Sequence, residues 1–476
     1  MIKQILYLLV FFLSFSIQDV NAHKFAKYNI VIDTDCGIDD FRAMTYFMAS
    51  RDYNINAVTT VDGILDPDMA SAYIHEILKI YHHEGIPLGK GNKNNASKKY
   101  TEHARAYWKN FIPEIIVPQL MSSVELLYKA IENERKRTIV VAMGPLTNIA
   151  ELIGKHPEIM PKIEIILWYS EFDEKPFGYN YEQNTKAYEI IRENNVPLKI
   201  ISGQDMKLTD DFFESCKEIK SVYAKTVLKF FEKNKDKTYY MWDDFLALYL
   251  SYPVMFREKH IEEYLVKIDP VPESFYDILI TGILNSEKPD EGVVFNEIPT
   301  SGFMLRKDVN EFAQQIIEYH GYVEFKIASL TSEIHSHMGI YSILGAKMGL
   351  RIMEYLHAGL DEINIISYAG YDPPVSCFND GLQVGTGSTI GYGTIKVDTT
   401  QGIRPETVVI YNNREILFRI KQDVIEEIKQ DVGTLIKAHG LESDMYWSKL
   451  REISIEKYWL GMSRFDIFEI EEIKGY

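Results

Sequence analysis

Between residues 28 and 202 the chain repeats one pattern, a short apolar run followed by an amphipathic stretch. The runs at 28–34, 55–61, 138–143, 163–168 and 198–202 are rich in Val and Ile at successive rather than strictly alternate positions. Strands of that kind must be covered on both faces, which is the habit of a parallel sheet. The stretches between them have helical spacing. Residues 39–50 place Phe41, Met44, Thr45 and Met48 on one face, and 69–82, 146–154 and 187–194 read likewise. The alternation predicts an α/β fold, a doubly wound, mostly parallel sheet with helices on both sides. In such sheets ligands bind beyond the carboxyl ends of the strands. Three polar clusters fall at such ends, at 33–40, 60–63 and 143–148.

This sheet accounts for less than half of the 476 residues, so two or three domains are expected. Near residue 320 a helical stretch gives way to a Gly-rich segment of another character, and we place a boundary there, between units at 23–318 and 319–476. The N-terminus reads as an export signal: Lys3, an apolar run at 5–15, then Val20-Asn21-Ala22. The run is too short for a bilayer span of about 20 residues, although an uncleaved anchor is the alternative. Cleavage after Ala22 would give a soluble, exported protein, periplasmic or secreted, with no integral membrane segment. A net charge of −18, from 51 Lys+Arg against 69 Asp+Glu, argues against a nucleic-acid partner. Cys36, Cys216 and Cys377 are too few and scattered for a disulfide framework.

Asp33, Asp35, Asp39 and Asp40 crowd the junction between a strand end and a helix start. Two like charges about 4 Å apart repel by about 4 kcal/mol at an effective dielectric of 20, so such acids protonate or recruit a cation. Helix capping would explain one or two of the four. A hard cation with oxygen ligands, Ca2+ or Mg2+, explains all of them better.

The run Asp33-Thr34-Asp35-Cys36-Gly37-Ile38-Asp39-Asp40 resembles the signature of the inosine/uridine-preferring nucleoside hydrolase family, Asp-x-Asp-Pro-Gly-x-Asp-Asp. The resemblance implies calcium ligation by Asp35 and Asp40, a ribose contact by Asp39, and a general base in Asp35. Three further stretches match in order. Met143 opens a Gly-Pro-Leu-Thr-Asn turn whose backbone carbonyl would reach calcium. Asn180 matches a sugar-contacting asparagine, and Asp243 the remaining calcium ligand. The likeness covers about residues 27–315 and implies hydrolysis of the N-glycosidic bond of a nucleoside or related riboside.

Several positions depart from the pattern. Cys36 replaces its proline, Ile64 and Phe172 replace asparagines, Gly178 replaces a glutamate, and Trp242 a histidine. The calcium set is complete while part of the sugar and leaving-group set is missing. Trp242 and Tyr179 are candidates to stack on a planar base, with plain packing as the alternative. A reading from another class is a secreted protein that binds calcium and sugar without turnover. A phosphohydrolase of the haloacid-dehalogenase type also begins Asp-x-Asp, yet Gly37 stands where it needs Thr. Homo-oligomerisation is compatible with either reading.

A second constellation joins His335-Ser336-His337, Pro373 to Gly381 and Gln383 to Gly393. It resembles the small FmdE-like domain, named for its association with formylmethanofuran dehydrogenase, over about residues 324–396. His and Cys are natural ligands of a borderline-soft ion such as zinc, so His337 and Cys377 are candidate ligands, with His335 and Asp380 weaker ones. The domain's second cysteine is Ser388 here. A metal-free Gly-rich turn domain is the competing reading.

Overall fold

The computed structural model describes residues 26–94, 100–203, 206–234, 239–271, 275–285, 294 and 297–475. The export segment lies outside these residues, as does part of the polar loop at 90–99. Nine strands form the larger sheet: β1 (Tyr28–Thr34), β2 (Tyr53–Thr60), β3 (Leu88–Lys90), β4 (Met121–Ser122), β5 (Thr138–Ala142), β6 (Ile163–Tyr169), β7 (Leu198–Ile201), β8 (Phe256–Glu262) and β9 (Leu265–Pro270). Their order is β8-β9-β7-β6-β5-β1-β2-β3-β4, and every pairing is parallel except β8–β9. The chain leaves β1 toward β2 and later returns to its other side at β5. The β1/β5 crevice is therefore the topological switch point, where open α/β sheets hold their ligands.

All eight residues of β2 and all five of β5 are buried, as unbroken apolar runs require. One face is covered by a core around Phe41, Phe47, Trp108 and Phe230, to which helix α1 (Ile38–Ala49) contributes. The other face packs Leu127, Ile149, Trp168 and Ile191. The fold is α/β as expected.

The smaller unit carries a five-stranded mixed sheet, with β10 (Asn364–Ser367), β11 (Ile395–Val397), β12 (Glu406–Tyr411), β13 (Arg414–Ile420) and β14 (Phe468–Lys474). Its order is β11-β10-β12-β13-β14, with only β10–β11 parallel. Helices α2 (Ile340–Leu356) and α3 (Phe378–Thr386) cross almost backbone to backbone. A Cβ on Gly345 would stand 2.2 Å from the Phe378 carbonyl oxygen, and one on Gly381 2.2 Å from the Ala346 nitrogen. Only glycine fits at either point.

The second unit docks on the edge of the large sheet where the strands begin. Asn412 donates to Asn56 at 3.0 Å, Gly85 donates its N–H to the Tyr355 carbonyl at 2.9 Å, and His357 donates to the Met48 carbonyl at 2.8 Å. Tyr411 bonds Asn54 in the same seam.

Candidate functional site

At the switch point the end of β1 delivers Asp33 and Asp35, and the first turn of α1 delivers Asp39 and Asp40. The N-cap of α1 is Gly37, and no side chain caps the helix, so the acids are not there as caps. They fold back toward the strand: a Cβ on Gly37 would stand 2.6 Å from Asp40 Oδ2 and 2.8 Å from Asp39 Oδ1. The Thr34 hydroxyl donates to Asp40 Oδ1, and the Cys36 N–H reaches the same oxygen at 3.2 Å. Cys36 has φ +64°, a value closed to proline, which also lacks the N–H used here. The exchange of proline for cysteine is thus a change of backbone as well as of side chain.

Asp35 is held from the opposite loop. Its Oδ2 accepts the Ile64 N–H at 3.0 Å, and a Cβ on Gly63 would lie 2.1 Å from that oxygen. Ile64 therefore keeps a backbone donor on Asp35 although its side chain has lost the family's amide. Asp33 Oδ1 accepts from Thr59 at 2.6 Å and from Asn148 at 2.8 Å, while its Oδ2 is buried without a hydrogen-bond partner. Asp243, at the N-terminus of the helix Asp244–Ser251, adds a further acid whose Oδ1 is buried without such a partner. Oxygens of Asp39, Asp40 and Asp243 all lie within 4.8 Å of one another.

The charge is poorly compensated. Burial and the neighbouring Asp39 push Asp40 up to about 7, and burial alone dominates at Asp33, also about 7. Asp35 is raised by burial and by Asp40, and Asp243 by burial and by Asp39. The buried cation nearby is Arg42, whose guanidinium is committed elsewhere. It forks onto Asp244 at 2.9 and 2.6 Å and donates to the Tyr240 carbonyl at 2.5 Å. That fork ties the helix carrying Asp39 and Asp40 to the turn carrying Asp243. Sequence reasoning passed over it, although an arginine within the apolar Phe41–Phe47 stretch was a visible signal. Convergent carboxylates with orphaned oxygens, beside an arginine already paired, are the donor set a hard divalent ion takes, so the residues present fit calcium.

The other expected contacts fall around this core. Asn180 is half-buried and donates both amide hydrogens, to the Met143 carbonyl at 3.1 Å and the Tyr169 carbonyl at 3.2 Å. It can meet a ligand only through Oδ1. The Met143 carbonyl keeps one lone pair for a cation. Tyr179 is half-buried at the rim, edge-to-face with Tyr100 at 5.5 Å, and Asp35 and Asp62 add to burial in keeping its hydroxyl protonated. Trp242 is 40 % exposed and lies parallel to Tyr240 at 5.2 Å, an open aromatic face. Phe172 is turned into the core. Gly178, with φ +85°, makes room for Glu171, whose Oε2 sits 1.6 Å from where a Cβ would be.

In the second unit, His335, His337 and Cys377 bring ligand atoms within 4.8 Å of one another. Asp380 does not join them but holds His335 Nδ1 at 2.6 Å. Ser388 is buried and turned away, toward the Ile363 carbonyl at 3.4 Å.

Comparison with known proteins agrees with both units. Residues 334–455 match the family described as FmdE, Molybdenum formylmethanofuran dehydrogenase operon. The pyrimidine-specific ribonucleoside hydrolase RihA of Salmonella paratyphi B is 24% identical over 232 residues, 44% of this chain and 73% of that protein. Its counterpart from Escherichia coli O1:K1 is 23% identical over 232 residues, with the same 44% and 73% coverage. Among solved structures, an inosine-uridine preferring nucleoside hydrolase from Bacillus anthracis aligns with TM-score 0.47 and 16% identity, covering 54% of this chain and 99% of that one. A purine-preferring ribonucleoside hydrolase from Gardnerella vaginalis aligns with TM-score 0.45 and 16% identity, covering 54% and 99%. Through residues 30–274, just over half of its length, the chain belongs to the inosine-uridine preferring nucleoside hydrolase family.

Proposed function

We propose that this is an exported, calcium-dependent N-glycosyl hydrolase that cleaves ribonucleosides or a related N-riboside into free base and sugar. The observation that carries the reading is the buried set of Asp35, Asp40 and Asp243 at the switch point, with an orphaned oxygen on Asp243 and the neighbouring Arg42 committed to Asp244. Asp35, Asp40, Asp243 and the Met143 carbonyl would hold Ca2+. Bound there, the ion would supply the positive charge that makes a nearby water more acidic.

The chain's own groups divide the remaining work. Asp35, fixed by the Ile64 N–H, takes a proton from the attacking water as general base. Asp39 accepts from ribose hydroxyls, and Asn180 offers Oδ1 to the same sugar. Negative carboxylates beneath the ring favour the oxocarbenium-like charge that develops as the glycosidic bond loosens. Trp242 and the Tyr179–Tyr100 pair offer aromatic surface to the departing base.

The test is a panel of purine and pyrimidine nucleosides with excess calcium, scored by release of free base. Turnover abolished by chelation and by Asp35→Asn supports the reading. Calcium and ribose binding with no member of the panel cleaved would replace it with a secreted binding protein. A second reading concerns the smaller unit, where the convergence of His335, His337 and Cys377 favours a zinc-like ion.

A further inference from the structure

Two histidines separated by one residue rarely face the same point. Here Ser336 takes φ +61°, a left-handed conformation uncommon for serine. The two imidazole rings consequently lie side by side, with centroids 4.2 Å apart. Gly339 leaves room for them, since a Cβ there would come within 3.0 Å of His337 Nε2. The third donor arrives from another element. Cys377 precedes α3, and the glycine-only crossing of α3 with α2 fixes its approach.

Asp380, three residues on, is set by the same crossing. Its Oδ2 lies 2.6 Å from His335 Nδ1. A carboxylate accepts, so Nδ1 carries the hydrogen and the Nε2 lone pair is left free. That Nε2 is buried and has no hydrogen-bond partner. An imidazole whose far nitrogen is held by a carboxylate, with the near one aimed into a His/Cys cluster, is the arrangement of a metal ligand and its orienting acid.

We infer that His335, His337 and Cys377 form an open, three-ligand transition-metal centre, with Asp380 as the positioning residue for His335 and a fourth coordination position left to an exchangeable ligand. This rests on the reading that the cluster holds a metal at all. It goes further in assigning His335 as a full ligand, removing Asp380 from the ligand set and leaving one position vacant. Structural zinc sites close with four protein ligands, whereas catalytic ones keep three and an open place. No fourth His, Cys, Asp or Glu joins the three among the described residues. Cys377 is buried while His337 is exposed, so the open position faces solvent, beside the half-exposed Trp447. The ligand class that fits is water or a small monodentate anion.

The experiment is cobalt substitution of the full-length protein, followed by azide titration. Co2+ should bind with a thiolate-to-metal charge-transfer band that is lost in Cys377→Ser, and azide should shift the ligand-field bands in a saturable way. Asp380→Asn should keep the thiolate band while cobalt affinity falls about 10- to 100-fold. Failure of Co2+ and Zn2+ to bind at all would sink the metal reading and the inference with it. A thiolate-bound cobalt whose spectrum azide leaves unmoved would overturn the open position alone. A changed azide-free ligand field in Asp380→Asn would mean that Asp380 is a ligand, and would overturn its positioning role. Near-ultraviolet circular dichroism of each variant separates these results from loss of fold, and His337→Gln, on the exposed side, provides the variant least burdened by packing.

Discussion

Calcium affinity should collapse on mild acidification, because the ligand acids are buried together. Asp40 is 3 % exposed and pushed up to about 7. The ion needs the carboxylate, so protons and calcium compete for it. A ligand carboxyl titrating near 7 is almost fully ionised at pH 8 and about one part in a hundred ionised at pH 5. Affinity should therefore fall about 100-fold across that range, close to 3 kcal/mol. Asp35 and Asp243 are raised as well, which makes about 100-fold a lower bound. Titration calorimetry on chelator-stripped protein at pH 8, 7, 6 and 5 measures this directly. Near pH 7 the binding heat should also depend on the buffer, because protons are released. Acids with ordinary values near 4 remain mostly ionised at pH 5, so an affinity changing less than about threefold would refute the reasoning.

The same acids set the sign of the stability change. A carboxyl raised in the folded state stabilises the fold in acid, and that contribution is lost as pH rises through its folded value. For Asp33 and Asp40 the window runs from about 4 to about 7. Buried His83 and His357 act in the opposite sense: burial pushes both down, so their contribution is lost as pH falls below about 6.5. The readout is therefore the calcium-dependent difference in Tm at each pH, which should widen between pH 5.5 and 7.5.

Three further outcomes are expected. Asp35→Asn should lower kcat by about 10²- to 10⁴-fold from lost base catalysis, whereas Asp39→Ala, which removes a sugar contact, should also raise KM. Steady-state kinetics on the best nucleoside of the panel separates the two. Arg42→Met leaves Asp244 buried without its fork and should cost about 3–5 kcal/mol in urea unfolding, with much of the loss recovered in Arg42→Met/Asp244→Leu. Mass spectrometry of protein recovered outside the cytoplasm should find His23 at the N-terminus, and intact Met1 in a membrane fraction would contradict export.

The central sheet was legible because its strands are apolar on both faces, a pattern that leaves little freedom. Strands at 28–34 and 138–142 fall within a residue of the expected runs. The edges were not legible. Met121–Ser122 is two residues long with both exposed, and Phe256–Glu262 buries only Phe256, so neither carries periodic information. The acid cluster could be read because Asp33, Asp35, Asp39 and Asp40 are close in sequence. The Arg42–Asp244 fork could not, since 202 positions separate partners that only the fold brings together. Asp380 and His335 were visible as candidates, but the difference between a ligand and a residue that orients one is geometric.

The placement of the smaller unit constrains what it does for the larger. Its contacts fall on Ala26, Met48, Asn54, Asn56, Gly85 and Asn133, each at or before the start of a strand. The acid site lies past the other ends. From Asn54 to Thr60 along β2 is six residues, about 20 Å at the rise of an extended chain. The docked unit therefore neither covers the acid site nor contributes a side chain to it. It does explain a local oddity of the sequence, two asparagines in an otherwise apolar buried strand. Asn54 and Asn56 find their partners in Tyr411 and Asn412 across the seam. Without the second unit those amides would meet water at an unprotected edge of the sheet. The smaller unit thus completes the fold of the larger from below, and any chemistry of its own proceeds at a separate opening.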